Sequence, residues 1–187
     1  EEIIDSVMNK CKGESGKVAE VKKTTKKKYS PALYDLTELQ RDANKIWGYS
    51  AKQTLNLMQR LYENHKVLTY PRTDSRYITT DIVGTIPERL KAVSFGEYRA
   101  VAEQLLKSGV KANKNYVDNS KVSDHHAIIP TEEKGSLANL SSEEKHIYDL
   151  VVKRFLSVLL PAYEYEQTTV IVNIGGETFT AKGNITK

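Results

Sequence analysis

The sequence has a single cysteine, Cys11, which excludes an internal disulfide and a cysteine-rich zinc cluster. It agrees with a reducing, cytoplasmic setting. No apolar run is long enough for a membrane-spanning helix. The N-terminus lacks the charged, apolar, small-residue order of a signal peptide. There is no His-Glu-x-x-His spacing to hold zinc and no Asp-x-Asp cluster to hold a hard cation. No internal repeat is evident. Charge of one sign is only mildly in excess: 28 Lys and Arg against 24 Asp and Glu give +4, which permits nucleic-acid binding without requiring it.

What is present describes a globular chain. Hydrophobic content is 39% and charged content 28% of 187 residues, enough for one good core or a core with a smaller lobe. The sequence opens on Glu1 without a methionine and closes at Lys187 just past a hairpin pattern. It is therefore expected to be part of a longer polypeptide.

Periodicity sets out the elements. Ile3, Ile4, Val7 and Met8 fall on one helical face. Residues 17–28, with Lys17, Lys22, Lys23, Lys26, Lys27 and Lys28, read either as a polar strand or as a solvated lysine run. A new unit is expected near Ser30-Pro31. Thr37 to Gln40 fits a capping box opening a helix that runs to Gly48, and Ser50 to Gln53 fits a second. The second helix carries Leu55, Met58, Leu61 and Tyr62 at helical spacing and ends near Asn64-His65. Two short helices across a Gly-Tyr link have the form of a helix-turn-helix. A further helix is expected from Gly96 to Gly109, then loop over 110–123. A strongly apolar helix follows from Ser141 to Leu160, with Ile147, Tyr148, Val151, Phe155, Val158 and Leu159 in the core and Pro161 as its stop. From Glu166 the period becomes two, and Gly175-Gly176 signals a hairpin with Phe179 on the return strand. The pattern is α+β: a mostly helical middle whose flanking ends pair in one sheet.

Two segments carry chemistry. Pro71 disfavours helix at Tyr70, so Tyr70 is extended and shares a side with Arg72. A guanidinium beside a phenol favours phenolate and offers a fork of donors to a phosphate. Eleven tyrosines are present, and Pro-Arg-Thr-Asp-Ser by itself also fits a plain turn and cap. The second segment is Ser123 to Thr131 with His125-His126. Adjacent histidines on a strand face opposite ways, so a phosphate-facing imidazole fits better than a shared metal. A structural loop histidine is the simpler alternative.

These segments resemble type IA DNA topoisomerases. Thr69-Tyr70-Pro71-Arg72-Thr73-Asp74-Ser75 is similar to the family's nucleophile motif, preceded at the family's spacing by Gln59-Arg60-Leu61-Tyr62-Glu63. Asp124 to Thr131 is similar to its downstream histidine motif. The Tyr-Pro-Arg and His-His forms most resemble the topoisomerase III branch. The resemblance covers roughly residues 31–187 well. It implies that Tyr70 attacks a backbone phosphate of single-stranded DNA, leaving a 5′-phosphotyrosine link and a free 3′ hydroxyl. Arg72 would position that phosphate, and His125, not His126, would match the active-region histidine. Gln59, Arg60, Thr73, Asp74 and Thr131 would be supporting DNA contacts. The implied architecture is a winged-helix-like domain over residues 30–165, inserted into a β-rich gate domain visited at 1–29 and 166–187. The family's metal-binding lobe and its acid–base glutamate and lysine have no counterpart here. Mg²⁺ would thus belong to another part of the polypeptide, no cofactor is expected in this segment, and the segment alone is expected not to turn over. The competing reading is a non-catalytic helix-turn-helix module that uses the lysine arm to bind phosphates. Such binding would weaken steeply with salt.

Overall fold

The computed structural model describes residues 1–134 and 137–186. Lys187, the last residue of the expected second gate segment, lies outside the described residues. The chain divides into two compact units, one made of Glu1–Lys28 with Ala162–Lys187 and the other of Tyr29–Pro161.

The first unit is a three-stranded antiparallel sheet in the order β1-β2-β3, with β1 at Lys17–Lys28, β2 at Tyr163–Ile174 and β3 at Glu177–Thr186. The two ends of the chain therefore do pair, from Lys17 opposite Asn173 to Lys28 opposite Tyr163, with an irregularity between Val18 and Glu20. The lysine run is a strand because its neighbour supplies acid. Lys27 lies opposite Glu164 and meets it at 2.8 Å, and Lys23 reaches Glu166 at 3.5 Å. Such cross-strand pairs favour the ladder over a free arm. β2 begins at Tyr163, three residues before the alternation becomes obvious at Glu166.

Gly175 and Gly176 close the β2–β3 hairpin with φ of +55° and +78°, the positive pair that a tight turn requires. Helix α1 (Glu2–Cys11) ends against this turn. Lys10 pairs with Glu177 at 2.8 Å, and a Cβ on Gly175 would lie 2.0 Å from the Lys10 carbonyl oxygen.

The second unit is helical. It contains α2 (Leu36–Trp47), α3 (Ala51–Glu63), α4 (Thr80–Val83), α5 (Ile86–Val93), α6 (Arg99–Ser108) and α7 (Ser142–Leu159). The N-cap of α2 is Asp35, whose carboxylate accepts from Glu38 N at 2.7 Å. Thr37, the expected cap, lies inside the first turn, because aspartate one residue before the apolar stripe is an equally good cap. Gly48 ends α2 at φ +72°, and Ser50 caps α3 as expected. Ser141 and Glu144 form a full capping box on α7. Helices α4 and α5 have no counterpart in the sequence expectations. Pro87 in the first turn of α5 was the available signal.

The core joins α2, α3, α5, α6 and α7, with Leu39, Met58, Leu61, Leu90, Ala102, Ile147, Val152 and Phe155 all buried. Tyr98 and Tyr148 are buried within it. On α3 the buried face is centred on Thr54, Leu57, Met58 and Leu61. Leu55 and Tyr62 lie at its rim, and Tyr62 is thereby left half-exposed beside the next segment.

Changing either hairpin glycine to alanine should test the α1 contact. Gly176→Ala should destabilise the sheet by about 1–2 kcal/mol, the ordinary cost of a left-handed non-glycine residue. Gly175→Ala should cost clearly more, because the added methyl meets the Lys10 carbonyl. Hydrogen exchange of the β2 and β3 amides measures both, and equal losses would contradict the packing described.

Candidate active site

The Tyr70 segment leaves α3 through a tight reversal. Val67 N donates to Leu61 O at 3.0 Å across six residues, which folds the chain back onto the end of α3. Lys66 takes the left-handed position at φ +56°, the only non-glycine residue with positive φ among the described residues. The chain then runs antiparallel to residues 127–131. Thr131 N donates to Val67 O at 3.1 Å and Thr69 N donates to Ile129 O at 3.0 Å. The Thr69 hydroxyl accepts from Ile129 N at 3.0 Å.

In this register Pro71 stands opposite Ala127, but proline has no N–H to donate. Ala127 N bonds instead to Tyr77 O at 2.9 Å. Past the break, the Thr73 hydroxyl donates to His125 O at 3.0 Å and accepts from Ser75 N at 3.1 Å. Burial alternates along the segment: Pro71, Thr73 and Ser75 are buried, Arg72 and Asp74 are exposed, and Tyr70 is half-buried. Tyr70, Arg72 and Asp74 therefore project to the solvent side together, as the spacing predicts.

The two motifs meet at Tyr70. The His125 ring lies 4.1 Å from the Tyr70 ring, tilted by 33°, and Tyr62 meets Tyr70 edge-on at 5.5 Å and 82°. Arg72 and His125 line one open cavity of about 440 Å³ with Asp35, Asp74 and Asp124. Tyr70 lines another of about 570 Å³ with Tyr62, Glu63, Lys66, Leu68, Thr69 and Thr131. The Tyr70 hydroxyl, the Arg72 guanidinium and the His125 imidazole make no hydrogen bond or ion pair with a described residue. By contrast, Tyr34 and Tyr98 donate to Asp42 and Asp149, at 2.5 and 2.7 Å. Tyr49 meets His146 at 2.8 Å, and Tyr116 donates to Lys111 O at 3.1 Å.

The two adjacent histidines divide. His126 turns inward and its Nδ1 donates to Ala127 O at 2.7 Å. Burial holds its pKa below the usual histidine value, helped by the Arg89 and His125 charges and opposed by the Ala127 bond and Asp81.

The remaining candidates are not all near Tyr70. Gln59 reaches toward the cavity wall by donating to Glu63. Arg60 points to a different cavity of about 460 Å³, lined by Lys52, Gln53, Asn56 and Ser141. There its Nε meets the buried Glu144 carboxylate at 3.3 Å, which also holds His65 at 3.2 Å. The Thr131 hydroxyl donates to Lys66 O at 2.6 Å, so this side chain positions the helix-end reversal. The buried Thr73 likewise uses its hydroxyl on backbone. Arg89, which the sequence did not single out, is buried and donates to Pro130 O at 2.7 Å while pairing with Glu132 at 2.9 Å. A buried arginine on a helix has no sequence signature. Among the described residues no three His, Cys, Asp or Glu side chains are grouped to hold a metal ion.

A family model described as DNA topoisomerase matches residues 1–187. The chain belongs to the DNA topoisomerase family. It is 62% identical over 182 residues to the DNA topoisomerase 3 of Bacillus cereus strain ZK / E33L. It is 55% identical over 183 residues to that of Bacillus subtilis strain 168. These matches cover 97% and 98% of the chain but only 25% of each relative, so the chain spans about a quarter of their length. The fold is also similar to part of the structure of a full-length topoisomerase I from Thermotoga maritima, with a TM-score of 0.68 at 24% identity over 98% of this chain and 30% of that one. No helix among the described residues of this topoisomerase segment is long and apolar enough to cross a membrane.

His126 should give the helical unit a pH dependence. Its folded pKa lies below the ordinary 6.5, so the unfolded chain binds more protons as pH falls past that value. Stability is complete above about pH 6.5 and declines below it. His126→Gln should flatten the decline in urea-unfolding midpoints between about pH 6.5 and 5. An unchanged slope would contradict the buried neutral histidine.

Proposed function

We propose that this chain is the nucleophile-bearing part of a type IA topoisomerase that cuts and rejoins single-stranded DNA through Tyr70. The observation that supports it most is that the Tyr70 ring lies 4.1 Å from the His125 ring, which shares a cavity with Arg72, while none of the three groups bonds to a described residue. Tyr70 Oη attacks a backbone phosphorus. The Oη–P bond forms, the P–O3′ bond breaks, the phenolic proton is given up, and the released O3′ takes one. Arg72 donates two N–H bonds to the phosphate and offsets the negative charge that builds up in the transition state. His125 presses on the Tyr70 ring and offers an N–H to the same phosphate. Reversal of the step rejoins the strand.

The proton for O3′ and any Mg²⁺ come from regions of the longer polypeptide outside this chain, as does the machinery for passing a second strand through the break. Within this reading the helical unit is winged-helix-like, with α2 and α3 as its helix pair, and the sheet is part of the gate domain into which it is inserted. Asp74 and Gln59 are DNA contacts of lower rank at the edge of the strip, and the cytoplasm is the compartment. A non-catalytic module would not need a phenol and a guanidinium held free on one side of a rigid strand, so the catalytic reading fits better.

The test is a chimera in which this chain replaces the matching quarter of the Bacillus cereus relative. With Mg²⁺ and single-stranded DNA it should give a covalent protein–DNA adduct that disappears in Tyr70→Phe. Arg72→Lys should lower turnover by roughly 100-fold, because lysine lacks the planar fork. An adduct that survives Tyr70→Phe would sink the assignment.

A further inference from the structure

We propose that the cavity beside Tyr70 binds the base of the nucleotide whose 5′ phosphate Tyr70 takes up, and that its rim prefers guanine or cytosine to thymine. The inference rests on Tyr70 being the nucleophile. A nucleotide joined through its 5′ phosphate to Tyr70 keeps its base within one sugar of the phenolic oxygen, and two cavities adjoin the site, one lined by Tyr70 itself and one by His125, whose ring lies 4.1 Å from that of Tyr70. The first is lined by Tyr62, Tyr70, Leu68, Thr69 and Thr131, with Glu63 and Lys66. The second is walled by Arg72, His125 and three aspartates. A phosphate belongs with the guanidinium and imidazole. A base, which needs aromatic faces to stack on, belongs with the tyrosines.

The geometry of the first cavity suits a planar ring. Tyr62 and Tyr70 meet at 82° with centroids 5.5 Å apart, so they form a right-angled corner. A base that stacks on one ring meets the other edge-on, and both contacts are favourable for aromatic quadrupoles. The cavity's volume of about 570 Å³ lies in the range of sites for small ligands. The Tyr62 hydroxyl bonds to no described residue.

Two exposed charges of opposite sign complete the rim. Glu63 is held by Gln59, which donates to its Oε1. An ionised carboxylate only accepts, so it selects a base with an amino group. Lys66 only donates, so it selects a carbonyl oxygen. Guanine and cytosine carry both groups; thymine lacks the amine and adenine the carbonyl. Lys66 is set there by its left-handed backbone at φ +56°, and Thr131 clamps its carbonyl at 2.6 Å. An L residue rarely keeps that conformation without a reason, which fits a lysine retained for its ammonium where glycine would be easier.

The test uses this chain and 5′-phosphorylated pentadeoxynucleotides whose first residue is guanine, cytosine, thymine or abasic, followed by amide and aromatic NMR shifts at low salt. Guanine and cytosine strands should shift Tyr62, Lys66 and Thr69 together with Arg72 and His125. The abasic strand should bind roughly tenfold more weakly, the loss expected for one deleted stacking base, and thymine should fall between. Tyr62→Ala should erase the difference between base and abasic strands, and Tyr62→Phe should keep it. Lys66→Gly should raise thermal stability yet reduce the preference for guanine and cytosine, which separates binding from folding. Equal binding of abasic and base-bearing strands, with shifts confined to Arg72 and His125, would overturn the base pocket and leave the phosphate site standing. Shifts at neither cavity would overturn both.

Discussion

Thr69 and Thr73 fix the site by the same device, a hydroxyl bonded to the backbone of the 125–131 segment on either side of Pro71. Between them the antiparallel ladder is interrupted, because Pro71 cannot donate and Ala127 bonds to Tyr77 instead. Pro71, Thr73 and Ser75 are buried by this pairing, and Tyr70, Arg72 and Asp74 are turned outward by it. If the pairing slipped by one residue, every side chain would change sides and the phenol would enter the core. Arg89 secures the second strand of the pair from beneath by binding the Pro130 carbonyl.

The Tyr70, Arg72 and His125 side chains make no hydrogen bond or ion pair with a described residue. Tyr34, Tyr49, Tyr98 and Tyr116 satisfy their hydroxyls on carboxylates, an imidazole or a carbonyl. The Tyr70 strip does not, although it is held on a rigid frame. Arg72 and His125 are exposed and stay hydrated until a ligand arrives, and donors held there suit the preorganised anion site proposed above. His125 and His126 show the same contrast over one peptide bond: the inner ring is consumed by Ala127 O and burial, and the outer one stacks on the phenol.

Much of this was legible before the fold was known. Alternation rules placed Tyr70 and Arg72 together, and Pro161, Gly48 and Gly175-Gly176 marked real element ends. The motif resemblance carried the rest of the site to His125. The lysine run could not be settled from its own residues, since its strand character depends on Glu164 and Glu166 far along the chain. The α2 cap was misplaced by two residues because Asp35 and Thr37 are both competent caps and only backbone geometry decides. Arg60 shares a motif with Gln59, yet one residue along a helix is a rotation of about 100°, enough to send it to Glu144 and a separate cavity. The Tyr62–Tyr70 corner was invisible for a similar reason, since it depends on how α3 is turned against the next strand.

The central claim is that one phenol of eleven becomes linked to DNA. Peptide mapping by mass spectrometry of the chimera, trapped on single-stranded DNA and digested with nuclease and trypsin, tests it most directly. The account predicts a nucleotide mass on the peptide that contains Tyr70 and on no other tyrosine. A nucleotide on Tyr62, Tyr77 or any other residue, with the Tyr70 peptide unmodified, would contradict it.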